Sequence, residues 1–213
     1  MLHEEMSAPV PGSADIPGAG RRSSNALDQF FHALRDRSGL RILDLTGGSQ
    51  ANIQYIAEQG HKSTQDGLPR ALDDCFAHGG AGYFDNQSDP ERLNRFGSMT
   101  LDHEPGTFQG VLAWDVLQFM APPLLEEVVV QLHRITEPGG LLLFYFHADE
   151  RITELPALNY HIVDRRTVST TAQGRVRPIR FLTNRAIEQL FAGFTAIKFF
   201  VTRDHLREVI VRR

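Results

Sequence analysis

The chain reads as an α/β protein with an open, mostly parallel sheet that ends in an antiparallel hairpin. Three observations predict this. Apolar runs alternate with stretches of helical periodicity from Leu40 to Phe146, the pattern of strand–helix–strand units. Phe108–Trp114 and Leu141–Phe146 are almost continuously apolar, as parallel strands covered on both faces are. Thr195–Thr202 and Glu208–Arg212 read as strands joined only by Arg203–Arg207, too short for the crossover that parallel neighbours need.

Each element has its own signal. Leu27, Phe30, Phe31 and Leu34 recur at helical spacing and stop at Ser38-Gly39, which predicts a first amphipathic helix. Leu40–Leu45 is a short apolar strand running into Thr46-Gly47-Gly48-Ser49. Ala51, Ile53, Ile56 and Ala57 mark the next helix, and Gly60 should stop it. His61–Gln65 is a weaker strand closed by Asp66-Gly67, and Pro69–Ala77 a further helix. Between His78 and Thr107 only a helix near Glu91–Phe96 and a short strand near Met99–Leu101 stand out. Pro122 or Pro123 can open the helix whose face is Leu124, Leu125, Val128, Val129, Leu132 and Ile135. Pro138-Gly139-Gly140 ends it. Tyr160–Val163 and Val176–Phe181 flank the turn-like Ala172-Gln173-Gly174 and predict a β-excursion. Asn184–Phe191 is a short helix capped by Thr183 or Asn184.

Composition excludes several classes. Of 213 residues, 41% are hydrophobic and 23% charged, which is globular composition. The net charge of −4 gives no electrostatic basis for nucleic-acid binding. One cysteine, Cys75, rules out an internal disulfide. The nine histidines show no metal-ligand spacing, so no metal is expected. No window approaches the roughly 20 apolar residues of a membrane span. Residues 1–25, with Pro9, Pro11, Pro17 and no apolar period, read as a disordered tail ahead of a domain over 26–213. Glu4 and Glu5, with no apolar stretch after them, argue against an export signal and for the cytoplasm.

Three landmarks together resemble the class I S-adenosylmethionine-dependent methyltransferases. They are Ile42–Asn52 with its glycine-rich turn, Phe108–Leu117, and Leu132–Leu143 with Pro138-Gly139-Gly140. The resemblance implies a doubly wound Rossmann-like fold of seven strands with helices on both faces. It also implies S-adenosyl-L-methionine as cofactor and a small-molecule acceptor. In open α/β sheets ligands sit beyond the carboxyl ends of the strands, and Asp44, Asp66, Trp114 and Asp115 fall there. Carried onto this chain, the cofactor would meet Asp44, Thr46, Gly47 and Gly48 at the turn. Asp66 would hold the ribose hydroxyls, Leu101 and Asp102 would border the adenine, and Trp114 would face cofactor or acceptor. The acceptor would lie among Phe119, Met120, Tyr160 and Phe181, with His147 the one candidate general base.

The turn departs from the family pattern of acidic-x-Gly-x-Gly-x-Gly. It reads Asp44-Leu45-Thr46-Gly47-Gly48-Ser49-Gln50, so only Gly48 keeps its place. A β-branched residue is a steric outlier at positive φ, so Thr46 must take another conformation. Gln109 replaces the usual aspartate before the fourth strand. A second reading therefore stands beside the enzyme: a degenerate methyltransferase fold serving as a binding or scaffolding module. Nicotinamide chemistry is disfavoured, because the turn lacks Gly-x-Gly-x-x-Gly. Arg175, Arg177 and Arg180 read as a solvated face.

Overall fold

The computed structural model describes residues 19–76, 82–202 and 205–213. Among these, β2 (Arg41–Asp44), β3 (Lys62–Gln65), β4 (Phe108–Trp114), β5 (Thr136–His147), β8 (Ala196–Val201) and β9 (Leu206–Arg212) form one sheet. Its order is β3-β2-β4-β5-β9-β8. The pairs from β3 to β5 are parallel, and β5–β9 and β9–β8 antiparallel. The helices are α1 (Asn25–Leu34), α2 (Gln50–Glu58), α3 (Leu68–Phe76), α4 (Pro90–Met99), α5 (Pro122–Ile135) and α6 (Asn184–Leu190). The apolar faces of α3, α5 and α6 pack with Phe96 of α4 on one side of the sheet. Those of α1 and α2 pack on the other. Among the described residues no helix is long and apolar enough to cross a membrane.

Caps explain where the helices begin. Ser24, Ser49, Asp89 and Thr183 each accept a backbone N–H from the first turn of α1, α2, α4 and α6, satisfying donors a helix start leaves free. Gly110 explains how closely α1 approaches the sheet. A Cβ there would lie 2.6 Å from Phe30 and 2.8 Å from Ile42. Gly110→Ala should therefore cost about 2 kcal/mol through overpacking, a fall in Tm of about 4–8 °C. An unchanged midpoint in thermal denaturation would show that Phe30 yields freely.

The sheet has six strands, not the seven expected. The strand predicted near Met99–Leu101 does not form. Met99 closes α4, and Leu101 takes φ 56°, incompatible with extended backbone. Its N–H donates to the Asp66 carboxylate at 2.8 Å instead of to a ladder.

A second sheet, of order β1-β7-β6, is antiparallel. It comprises β1 (Gly20–Ser23), β6 (Glu154–Asp164) and β7 (Thr167–Pro178). Two expectations change here. The tail was expected to reach Asn25, yet Gly20–Ser23 pair with Thr167–Thr170 and Ser24 caps α1; residues 1–18 lie outside the described ones. The turn of the β-excursion falls at Asp164–Thr167 rather than at 172–174. Asp164 accepts the Arg166 N–H at 2.8 Å, an Asx turn. Gly174, at φ 72°, instead sits in a bulge of β7.

Candidate functional site

The loops after β2, β3 and β4 meet at the carboxyl ends of their strands. Thr46 avoids positive φ, and Gly47 and Gly48 carry it instead, at 84° and 74°. That turn lets Thr46 direct both its N–H (3.1 Å) and its hydroxyl (2.9 Å) to Asp44 Oδ1. Trp114 Nε1 donates to the same oxygen at 3.0 Å, and Asn52 Nδ2 to Oδ2 at 2.7 Å. Asp44 is fully buried, and four donors within the protein converge on it, three on Oδ1 and one on Oδ2.

The neighbouring loops close on each other. Gly47 N–H donates to Asp66 O at 2.8 Å, and Thr46 forms an isolated bridge with Gly67. The Gln65 side chain occupies the space over Gly48, where a Cβ would collide with it. Asp66 turns its carboxylate toward Leu101 N–H and His103. Burial raises its pKa, and that N–H and His103 oppose the rise.

The β1-β7-β6 sheet lies over these loops. Tyr160 stacks on Trp114 with ring centroids 5.0 Å apart and planes within 9°. Asn52 Nδ2 also donates to Tyr160 O (3.0 Å), and its Oδ1 accepts Ile162 N–H at 2.7 Å. Ser49 meets His161 Nδ1 at 2.8 Å. At the far side of the crevice Arg177 donates to Asp73 Oδ1 (2.9 Å) and Oδ2 (2.8 Å), and Arg175 reaches the same carboxylate.

Seven of the eight residues expected around the cofactor are thus brought together. Asp44 joins Thr46 and Trp114, Gly47 joins Asp66, Asp66 joins Leu101, and Gly48 lies under Gln65. Asp102 is exposed and lines a separate cavity of about 230 Å³ with Phe96, Leu101 and Arg134. Trp114 is fully buried rather than presented to a ligand, and Leu101, itself buried, reaches only that separate cavity. The solvated-face reading of the arginine cluster fails for Arg177, which is 4% exposed. Sequence reasoning passed over Gln65 and the closing role of Asn52. For Asn52 a signal existed: it stands one turn before Ile56 on the buried stripe of α2.

A cavity of about 410 Å³ opens beneath the second sheet, beyond the ends of β4 and β5. Asp115 and Gln118 line it from the segment that follows β4, His147 from the end of β5, and Leu155, Leu158 and Tyr160 from β6. Of the four residues expected around the acceptor only Tyr160 lines it. Phe119 and Met120 are core, and Phe181 lies under the Arg207 guanidinium at 5.1 Å. Asp115 is buried, and burial pushes its pKa from 3.8 up to about 6 against the hydrogen bond it accepts from Tyr160. Gln118 Nε2 lies 3.4 Å from its carboxylate. Among the described residues no group of three or more His, Cys, Asp or Glu could hold a metal ion.

Asp115 carries a prediction whose sign follows from that shift. The folded protein binds its proton more tightly than the unfolded chain does. Its contribution is complete below pH 3.8 and disappears as pH rises through about 6. A shift of this size corresponds to about 3 kcal/mol. Asp115→Asn should raise Tm at pH 7.5 by about 6–12 °C and change it little at pH 4. Equal shifts at both pH values in scanning calorimetry would refute this titration.

No protein-family model matches the chain, and no curated protein does. Solved structures do. The PH0226 protein of Pyrococcus horikoshii OT3 is 11% identical at a TM-score of 0.53, over 88% of this chain and 87% of that one. A methyltransferase of Mesorhizobium loti dependent on S-adenosylmethionine is 14% identical, TM-score 0.49, over 89% and 99%. The 1,6-didemethyltoxoflavin-N1-methyltransferase of Burkholderia thailandensis, solved with 1,6-didemethyltoxoflavin and S-adenosylhomocysteine, is 16% identical, TM-score 0.48, over 89% and 78%. At 11% identity the likeness to the PH0226 protein is one of fold.

Proposed function

We propose that the chain is an S-adenosylmethionine-dependent methyltransferase acting on a small molecule held in the cavity beneath the second sheet. The observation that carries this reading is the placement of the cavity. It opens beyond the carboxyl ends of β4 and β5, where open α/β sheets bind ligands. Its volume suits a small organic molecule. Asp115 in its floor is basic enough to accept a proton from an O–H or N–H acceptor at neutral pH, and Gln118 and Tyr160 orient that carboxylate. The sequence landmarks add the cofactor.

In the arrangement described, the crevice does not accommodate that cofactor. Asp44 is engaged by four donors of the protein itself, Asp66 is tied to Leu101, and Gln65 covers Gly48. This same engagement favours the second reading, a binding module of methyltransferase fold. One experiment separates the two. Thermal unfolding is followed with S-adenosylmethionine, S-adenosylhomocysteine and NAD. Ligand at about 100 times its Kd stabilises by about 2.7 kcal/mol, which should raise Tm by roughly 5–10 °C with both sulfur ligands and not with NAD. No shift at millimolar ligand would abandon the enzyme for the binding module.

A further inference from the structure

The second sheet is attached to the first in an unusual way. Among the described residues no ladder joins the two sheets. Side chains do so. At the two sides of the crevice Asn52 and Ser49 of the α2 start hold β6, and Asp73 of α3 holds Arg175 and Arg177 of β7; away from it Arg22 of β1 pairs with the buried Glu208 of β9, Arg165 and Arg166 pair with Asp28 of α1, and Tyr160 donates a hydrogen bond to Asp115. Between these points Tyr160, Ile162 and Val168 pack on the core. Toward Leu155 and Leu158 the packing is interrupted by the 410 Å³ cavity. The sheet could therefore lift without breaking one strand pair of the main sheet. The crevice it covers is filled only by side chains and loop contacts, those of Gln65, Asp66 and Thr46.

We infer that the β1-β7-β6 sheet is a latched lid. Asn52 and Asp73 are its latches over the crevice, β1 with the Arg22–Glu208 pair is its anchored edge, and release at α2 and α3 must precede admission of an adenosyl ligand to the crevice. The last clause rests on the proposed function; the lid itself does not. A ligand that binds only the open state shifts the population toward it, and its apparent affinity is reduced by the fraction of molecules that are open.

Native-state hydrogen exchange on the full chain tests the lid. Amides of β6 and β7 should exchange as one group, faster than those of β4 and β5. Weakening the α2 latch should speed the group, by about a thousandfold with Asn52→Ala and by about tenfold with a milder change. Asn52→Ala is the direct variant. His161→Ala, which removes only the Ser49 contact and a bond to Thr171, serves if the first does not fold. Exchange of β6 and β7 at the β4–β5 rate in wild type and variant alike would overturn the inference.

A second arm tests admission. With Cys75 replaced by serine, the pair Ser49→Cys and His161→Cys is bridged by dibromobimane, and S-adenosylhomocysteine binding is measured by calorimetry. Bridging should weaken binding at least about tenfold; equal affinity would overturn the gating. Failure of both forms to bind, with exchange as expected, would reject the cofactor reading and leave the lid standing.

Discussion

Asn52→Ala should lower stability by about 4 kcal/mol, the largest loss of any single substitution proposed for this chain. Asn52 is fully buried, and its side chain donates to the Asp44 carboxylate and to Tyr160 O and accepts from Ile162 N–H. Truncation leaves a buried carboxylate oxygen short of a donor and the Ile162 N–H unpaired. A hydrogen bond to a charged group contributes about 1.5–3 kcal/mol, and an orphaned buried donor costs about 1–3. The measured Tm should fall by about 8–16 °C. Asn52→Asp keeps the shape but sets a second carboxyl against Asp44. It should be as damaging at neutral pH and recover in acid, where one of the two can hold a proton. Failure to recover would mean that the amide acts through shape alone.

Asp73→Ala should cost about 3 kcal/mol. The Arg177 side chain is 5% exposed and that of Asp73 15%, so the change strands a cation that has few other partners. Pro69 O, at 3.4 Å, and the Phe119 ring are what remain. Removing one member of a buried pair typically costs 3–5 kcal/mol, whereas replacing both with apolar groups is often neutral. Urea denaturation should therefore show most of the loss restored in the double variant Asp73→Ala/Arg177→Met. Arg175→Ala, at an exposed position, should cost under about 1 kcal/mol. If the double variant is no better than the single one, the charge pair is not the reason Asp73 matters.

These two residues also mark the limit of what the sequence discloses. The parallel strands and their helices were legible because each is announced locally, by apolar runs, periodicity and capping residues. The glycine-rich turn was legible in its composition, and Thr46 had to avoid positive φ. The strand at Gly20–Ser23 was not legible, since Gly-Arg-Arg-Ser carries no β pattern and its partner lies far along the chain. Leu101 misled in the opposite direction: an apolar residue after a helix suggested a strand, and one hydrogen bond to Asp66 dictated otherwise. The state of the crevice was the least legible. It is set by Asn52 with Ile162, by Asp73 with Arg177, and by Gln65 on Gly48. Each is a pairing across long sequence separation that no window of residues reveals.

The position of β9 has a consequence for how the protein is made. This strand sits inside the sheet between β5 and β8, and its ladder with β5 runs from Leu141↔Arg212 to His147↔Leu206. On the ribosome, the run Leu141–Phe146 emerges well before its partner from Leu206 onward has been synthesised. For that interval a strongly apolar strand presents bare N–H and C=O groups to its surroundings, the condition under which nascent chains associate with one another or are held by chaperones. Glu208 of the same strand also receives Arg22 and the Ala26 N–H, so residues translated early find their places last. Slow translation or scarce chaperones should therefore reduce the yield of native protein at this one unfinished edge.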